Sequence, residues 1–215
     1  LIAGVSQDSL LSYTNRLQAY WRRPAGSDSN YASRDWIAGK FIEFGYDSVV
    51  IDSFLAVIGS VTTPCQNVLA YKIGTVYPNH QVIIGAHRDG VSASPAADDN
   101  GSGTAAVLEF ARVLKDIPTD VTILFSLYDA EENGLIGSYD YVGRAYARGD
   151  SIVHFDFDGD SFDYLHANCP AERRSDIVSL DFTDFDASPG LNLLEYQTRW
   201  PKIERSFIVD NLVQI

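Results

Sequence analysis

Basic side chains are scarce in this chain: 16 lysines and arginines stand against 29 aspartates and glutamates, a formal net charge of −13. Phosphate backbones are repelled by such a balance, which argues against nucleic acid as a partner. Methionine is absent, an initiator included, so the expectation is a mature product trimmed of a leader. A secreted or extracytoplasmic location fits, with the acidic surface serving solubility. Cysteine is limited to Cys65 and Cys169. These make neither a disulfide framework nor a zinc motif, and one disulfide or two free thiols both fit. No apolar run approaches the roughly 20 residues of a membrane span, so no membrane partner is expected. Internal repeats and low-complexity segments are also missing, and nothing in the sequence fixes the oligomeric state.

What remains is an ordinary globular composition, 46% hydrophobic and 21% charged over 215 residues. A chain this long buries roughly 70% of its unfolded surface. Residues 1–215 are read as a single domain whose carboxyl-terminal part is expected to be incomplete. Helical spacing of apolar residues runs over Val5 to Trp21, through Leu10, Leu11, Leu17 and Tyr20. A second helix spans Asn30 to Phe44, with Ile37, Phe41 and Phe44 on one face and Gly45 as the stop. Strands are expected at Val49 to Phe54 and Val68 to Ile73, split by a Gly/Thr/Pro loop, and at Gln81 to Ala86. A helix follows over Ser102 to Ile117, with Ala106, Phe110, Val113 and Leu114 together and Pro118 ending it. Val121 to Leu127 is almost wholly apolar, the mark of a strand buried on both faces. Leu135 to Arg148 reads as a helix and Ile152 to Phe157 as a strand. This alternation predicts an α/β fold in three layers, a largely parallel, mixed central sheet flanked by helices. Beyond Asp160 the pattern weakens, and only Ser206 to Val213 suggests one more regular element.

Acidic clusters follow the strands. They are Ala-His-Arg-Asp (Ala86 to Asp89), Asp-Asp-Asn-Gly-Ser-Gly (Asp98 to Gly103), Asp-Ala-Glu-Glu-Asn-Gly-Leu-Ile-Gly-Ser (Asp129 to Ser138) and Phe-Asp-Phe-Asp-Gly-Asp (Phe155 to Asp160). In open α/β sheets, ligands bind beyond the carboxyl ends of the strands. His87 and Asp89, two apart in extended backbone, point the same way, so Asp89 can fix the ring of His87. A histidine at a strand end also reads as structural. The Asp98 to Gly103 run equally suits a turn and helix N-cap. Asn100-Gly101-Ser102 matches a glycosylation sequon, a very common pattern. Glu131 and Glu132, as neighbours, are expected to differ in direction, so that one holds metal and the other reaches its water. An acidic turn before a helix is the plainer alternative. Asp156, set between two phenylalanines, is costly to bury unless paired or metal-bound. Asp158 and Asp160 are read as solvated.

Taken together and in this order, the four segments resemble the zinc aminopeptidases of the bacterial leucyl aminopeptidase and aminopeptidase Y type, relatives of glutamate carboxypeptidase and glutaminyl cyclase. The likeness runs from Asn67 to about Gly159, and Gly26 to Tyr46 is less sharply similar to that family's amino-terminal helices. The resemblance implies a metal-dependent exopeptidase that removes the amino-terminal residue of peptides with a free amino terminus. It implies two zinc ions held by His87, Asp99, Glu132 and Asp156, with Asp99 bridging. Glu131 would be the general base and acid, and Asp89 the carboxylate behind His87. That family also has a late histidine ligand; the histidines here are His80, His87, His154 and His166, and none matches its position. Arg88 resembles the carboxypeptidase branch, which leaves the end of the substrate open. Three readings therefore stand: an aminopeptidase, a carboxypeptidase or glutaminyl-cyclase-like relative, and a non-catalytic binding domain.

Overall fold

A computed structural model describes residues 4–156 and the side chains of residues 4–150. Helix α1 (Gln7–Gln18) starts at Ser6, whose hydroxyl accepts from Ser9 N, and buries Tyr13 and Leu17. Leu11, part of the apolar spacing read from the sequence, is exposed, and Tyr20 lies past the helix end. Helix α2 (Asp28–Phe44) is capped by Ser27 and buries Ile37, Phe41 and Phe44. Gly45 ends it at φ 96°, a left-handed conformation that glycine adopts without steric cost.

Strands β1 (Ser48–Ile58) and β2 (Val61–Lys72) form an antiparallel hairpin whose register closes at Ile58 opposite Val61. The expected loop between two short strands is thus replaced by two long strands and a tight turn. The Thr-Thr-Pro stretch misled because proline weakens a strand assignment. Pro64, however, pairs only with Leu55 of the edge strand, and β4 joins β2 later, at residues 68–72. A missing N–H is tolerated where a strand has one open side.

Strand β3 (Tyr77–His87), helix α3 (Gly103–Leu114) and strand β4 (Val121–Tyr128) form a crossover unit, followed by α4 (Ile136–Arg148) and β5 (Ser151–Asp156). The sheet order is β1-β2-β4-β3-β5. Strands β4, β3 and β5 run parallel, while β1 and β2 add an antiparallel edge. The fold is therefore mixed α/β, with helices on both faces. On one face Val68, Ala70, Ile123, Phe125 and Leu127 pack against α1, α2 and α3. On the other, Leu69, Ile83, Leu124 and Tyr128 meet Tyr141 and Ala145 of α4. Strand β4 is buried from Thr122 onward because it faces both layers. Helix α3 buries Val107, Leu108, Ala111 and Leu114, whereas Phe110 is exposed. Apolar residues surround this helix almost completely, so periodicity alone did not select the inward face. Among the described residues no helix is long and apolar enough to cross a membrane. His166, Cys169, Asp158, Asp160 and the expected element at Ser206 to Val213 lie outside the described residues.

In register, His87 pairs with Tyr128, and Gly85 pairs with both Ser126 and Asp156. The carboxyl ends of three parallel strands thus lie side by side. His80 sits seven residues earlier on β3, about 23 Å away at some 3.3 Å per residue. Its ring packs near Tyr77, at 5.7 Å between centroids.

Candidate active site

His87 closes β3 and is 2% exposed. Its Nε2 lies 2.9 Å from Asp99 Oδ1 and 3.7 Å from Glu131 Oε2, and its Nδ1 lies 3.4 Å from Asp89 Oδ1. Ligand atoms of His87, Glu131 and Glu132 all fall within 4.8 Å of one another. Residues from the end of β3, the turn after β4 and the Ala97–Ser102 turn therefore meet at one spot. Asp99 reaches the group from outside, with its side chain 78% exposed. Asp156 ends β5 next to Gly85 in the backbone register; its side chain, like that of His154, lies outside the described set.

Asp89 is fully buried and ties the group together. Besides facing His87, it accepts from Glu131 N at 3.2 Å and from Glu132 N at 3.3 Å. Ala130, at φ 57°, bends the chain just before these residues. Strand alternation does not apply in such a turn, so the two neighbouring glutamates do not diverge as expected. Both side chains reach the same donor group, and Glu132 Oε1 also accepts from Val91 N at 3.1 Å. Asn100 is buried, and its Oδ1 accepts from Gly103 N at 2.8 Å, capping α3. The sequon is therefore a structural cap, and a glycan on Asn100 is incompatible with this fold.

The charges of the group reinforce one another. Burial alone would lower the pKa of His87, but hydrogen bonds to Asp89 and Asp99, with the charge of Glu131, raise it well above its ordinary value. The same hydrogen bond holds Asp99 below the usual carboxylate range. Burial and the charge of Asp99 push Glu132 up. One imidazole among several carboxylates is a donor set suited to a divalent cation of borderline hardness such as zinc.

Behind the group lies a buried polar layer that sequence reasoning left out. Arg88 and Asp129 are both fully buried, and Arg88 Nη2 sits 2.7 Å from Asp129 Oδ2. Arg88 also donates to Asn30 O, Asn30 Oδ1 and Gln66 O. Asp129 accepts from Asn30 Nδ2, Gln66 N and Ala130 N. Asn67 accepts from Asp129 N and donates to Gly137 O, joining β2 to the start of α4. The guanidinium of Arg88 thus points into the fold rather than into the cleft. A sequence hint existed in the alternation of His87, Arg88 and Asp89 at a strand end, which sends the middle residue to the opposite side.

Residues 67–168 match peptidase family M28. That stretch, just under half of the chain, is similar to a peptidase M28 domain. Aminopeptidase YwaD of Bacillus subtilis is 56% identical over 78 residues, covering 36% of this chain and 17% of that protein. The probable aminopeptidase YDR415C of Saccharomyces cerevisiae is 27% identical over 199 residues, covering 85% and 51%. Among solved structures, a zinc aminopeptidase from Bacillus subtilis superimposes with a TM-score of 0.63 at 20% identity, over 69% of this chain and 68% of that one. At that identity the likeness shows the fold. The chain spans about half the length, or less, of the curated relatives it matches.

Proposed function

We propose that this chain is a peptidase M28 domain and the catalytic part of a secreted, metal-dependent exopeptidase that removes residues from the amino terminus of peptides. The observation that carries the reading is the convergence of His87, Glu131 and Glu132, with Asp99 on the His87 ring, at the carboxyl ends of adjacent strands. In this reading His87, Asp99, Glu132 and Asp156 would hold the zinc, two ions in all. Bound zinc supplies Lewis-acid polarisation of a carbonyl and a more acidic water. Glu131 faces the same spot as His87, which supports a role in accepting a proton at its carboxylate and returning it to the leaving amine. Asp89 holds the His87 ring and both glutamate N–H groups, fixing ligand and base relative to each other. The surrounding carboxylates suit a cationic substrate amine. A carboxypeptidase reading would need a cation in the cleft; Arg88 is buried against Asp129 and does not supply one.

The test compares hydrolysis of an aminoacyl chromogenic amide with its N-acetylated form, alongside zinc content. Wild-type protein is expected to take up zinc and cleave only the free-amine substrate. Glu131→Ala should retain zinc and lose turnover by roughly 100- to 10,000-fold, the usual share of a general base. Full activity in Glu131→Ala would refute the assigned role. Zinc uptake without any turnover by the wild type would favour a binding domain.

A further inference from the structure

Arg23 is fully buried and belongs to neither the candidate metal group nor the Arg88–Asp129 pair. Its guanidinium donates only to main-chain carbonyls. Nε reaches Arg88 O at 2.9 Å, Nη1 reaches Leu17 O at 2.9 Å and Pro95 O at 3.0 Å, and Nη2 reaches Ala96 O at 2.9 Å. The carbonyl of Arg23 in turn accepts from Gly90 N at 3.2 Å and from Asn30 Nδ2 at 3.1 Å. One residue therefore holds three separate segments. They are the end of α1, the turn carrying His87 and Asp89, and the stretch that leads into Asp99.

The last two segments are pressed tightly together at this point. A methyl group on Gly90 would lie 2.3 Å from Ala96 Cβ, and one on Gly101 would lie 2.7 Å from Ala96 O. Ala96 itself is held at φ 51°, a left-handed conformation unfavourable for a residue with a Cβ. A buried guanidinium that donates only to neutral acceptors is expensive for the fold. Burial lowers its pKa to about 10, against which the charge of Asp89 acts. An apolar side chain would fill the same space without that cost, but it would leave four carbonyls without their donor.

We propose that Arg23 is a positioning residue for the candidate metal site: it locks the His87–Gly90 turn against the Pro95–Asp99 stretch and so sets how His87 and Asp99 face each other. The proposal rests on the metal-site reading given above. The fork geometry matters more than the charge, because the four bonds diverge from one planar group to carbonyls on three segments.

The test titrates the full chain with zinc against a chromogenic chelator and follows folding by circular dichroism. Folded Arg23→Met should bind zinc roughly 10- to 100-fold more weakly, the range seen when groups that orient metal ligands are removed. Arg23→Lys, which keeps the charge without the fork, should lose nearly as much; wild-type affinity in that variant would overturn the proposal. Gly90→Ala disturbs the same loop register from the other side and answers the question if the Arg23 variants do not fold. Its affinity should also fall, and unchanged affinity would overturn the proposal. Tyr46→Phe removes a bond to Ala111 O in the helical layer and should leave zinc affinity unaltered; an equal loss there would mean that general destabilisation, not loop register, is being read. Wild-type protein that takes up no zinc would sink both the metal-site reading and this one. Equal affinity in wild type and folded Arg23→Met would sink this one alone.

Discussion

Replacing Arg88 with methionine strips the fully buried Asp129 of the guanidinium beside it. Asp129 would keep three hydrogen bonds, from Asn30 Nδ2 and the N–H groups of Gln66 and Ala130, but would lose the guanidinium at 2.7 Å. Breaking a buried pair from one side costs about 3–5 kcal/mol, because the remaining charge is uncompensated. The carbonyls of Asn30 and Gln66 also lose donors, so the upper half of that range is expected. Against a total stability of about 5–15 kcal/mol, this is a large fraction. Asp129→Asn alone also breaks the pair. In the double variant no charge remains stranded, so its cost should fall short of the sum of the singles by about 0.5–3 kcal/mol, the usual coupling between contacting groups. Urea unfolding of wild type, both singles and the double gives the cycle, provided the m-values agree. Singles that cost under about 1 kcal/mol, or strict additivity, would refute a stabilising pair at this site and return Arg88 to consideration as a cleft residue.

Three further outcomes follow from the same coordinates. Asp99→Ala removes the carboxylate on His87 Nε2 and should abolish zinc binding; chelator titration and metal analysis check it. Phe125→Ala empties the centre of the Phe41–Tyr46–Phe125 cluster and should cost about 3–5 kcal/mol in urea unfolding. Burial pushes the Glu109 carboxyl up, yet Arg112 and the Ser6 N–H outweigh it and hold it below the usual range. A depressed folded-state pKa stabilises above the unfolded value of about 4.3 and loses that contribution as pH falls through the folded value. Glu109→Gln should therefore flatten the acid side of the stability–pH profile while sparing its alkaline side, as read from urea midpoints at several pH values.

Much of the fold was legible because its signals are local. The 37–41–44 spacing and Gly45 defined α2, and the unbroken apolar run defined β4, since both depend on neighbours in sequence. The inward face of α3 was not legible, because apolar residues on nearly every side leave the choice to α1 and α2. The long β1–β2 hairpin was missed because Pro64 is harmless only beside an edge strand, a fact of sheet order. Four of the six candidate positions, named from acid-rich segments and the family resemblance they carry, are brought together at His87, Asp99, Glu131 and Glu132. Asp89 joins them from behind. Arg23 carried no signal, since its main-chain carbonyl partners come from distant segments, and the alternation around Arg88 gave its direction but not its partner Asp129.

The sorting of acidic residues shows what the third dimension adds. In the run Asp129 to Glu132 every carboxylate has the same formal charge, but the turn divides them. Asp129 faces inward, takes main-chain N–H groups and balances Arg88. Glu131 and Glu132 face the cleft, and their own N–H groups are held by buried Asp89. Asp129 and Asp89 therefore build the turn that aims Glu131 and Glu132. That division explains how like charges crowd one imidazole without pushing the strand ends apart. The inward carboxylates are tied to cations or backbone donors, while Asp99, Glu131 and Glu132 crowd together at the cleft and the charge of Asp99 helps push Glu132 up, a repulsion that a divalent cation would relieve. Zinc should accordingly stabilise the fold by mass action as well as enable turnover, and a melting temperature that does not move with zinc would contradict this account of the charge layout.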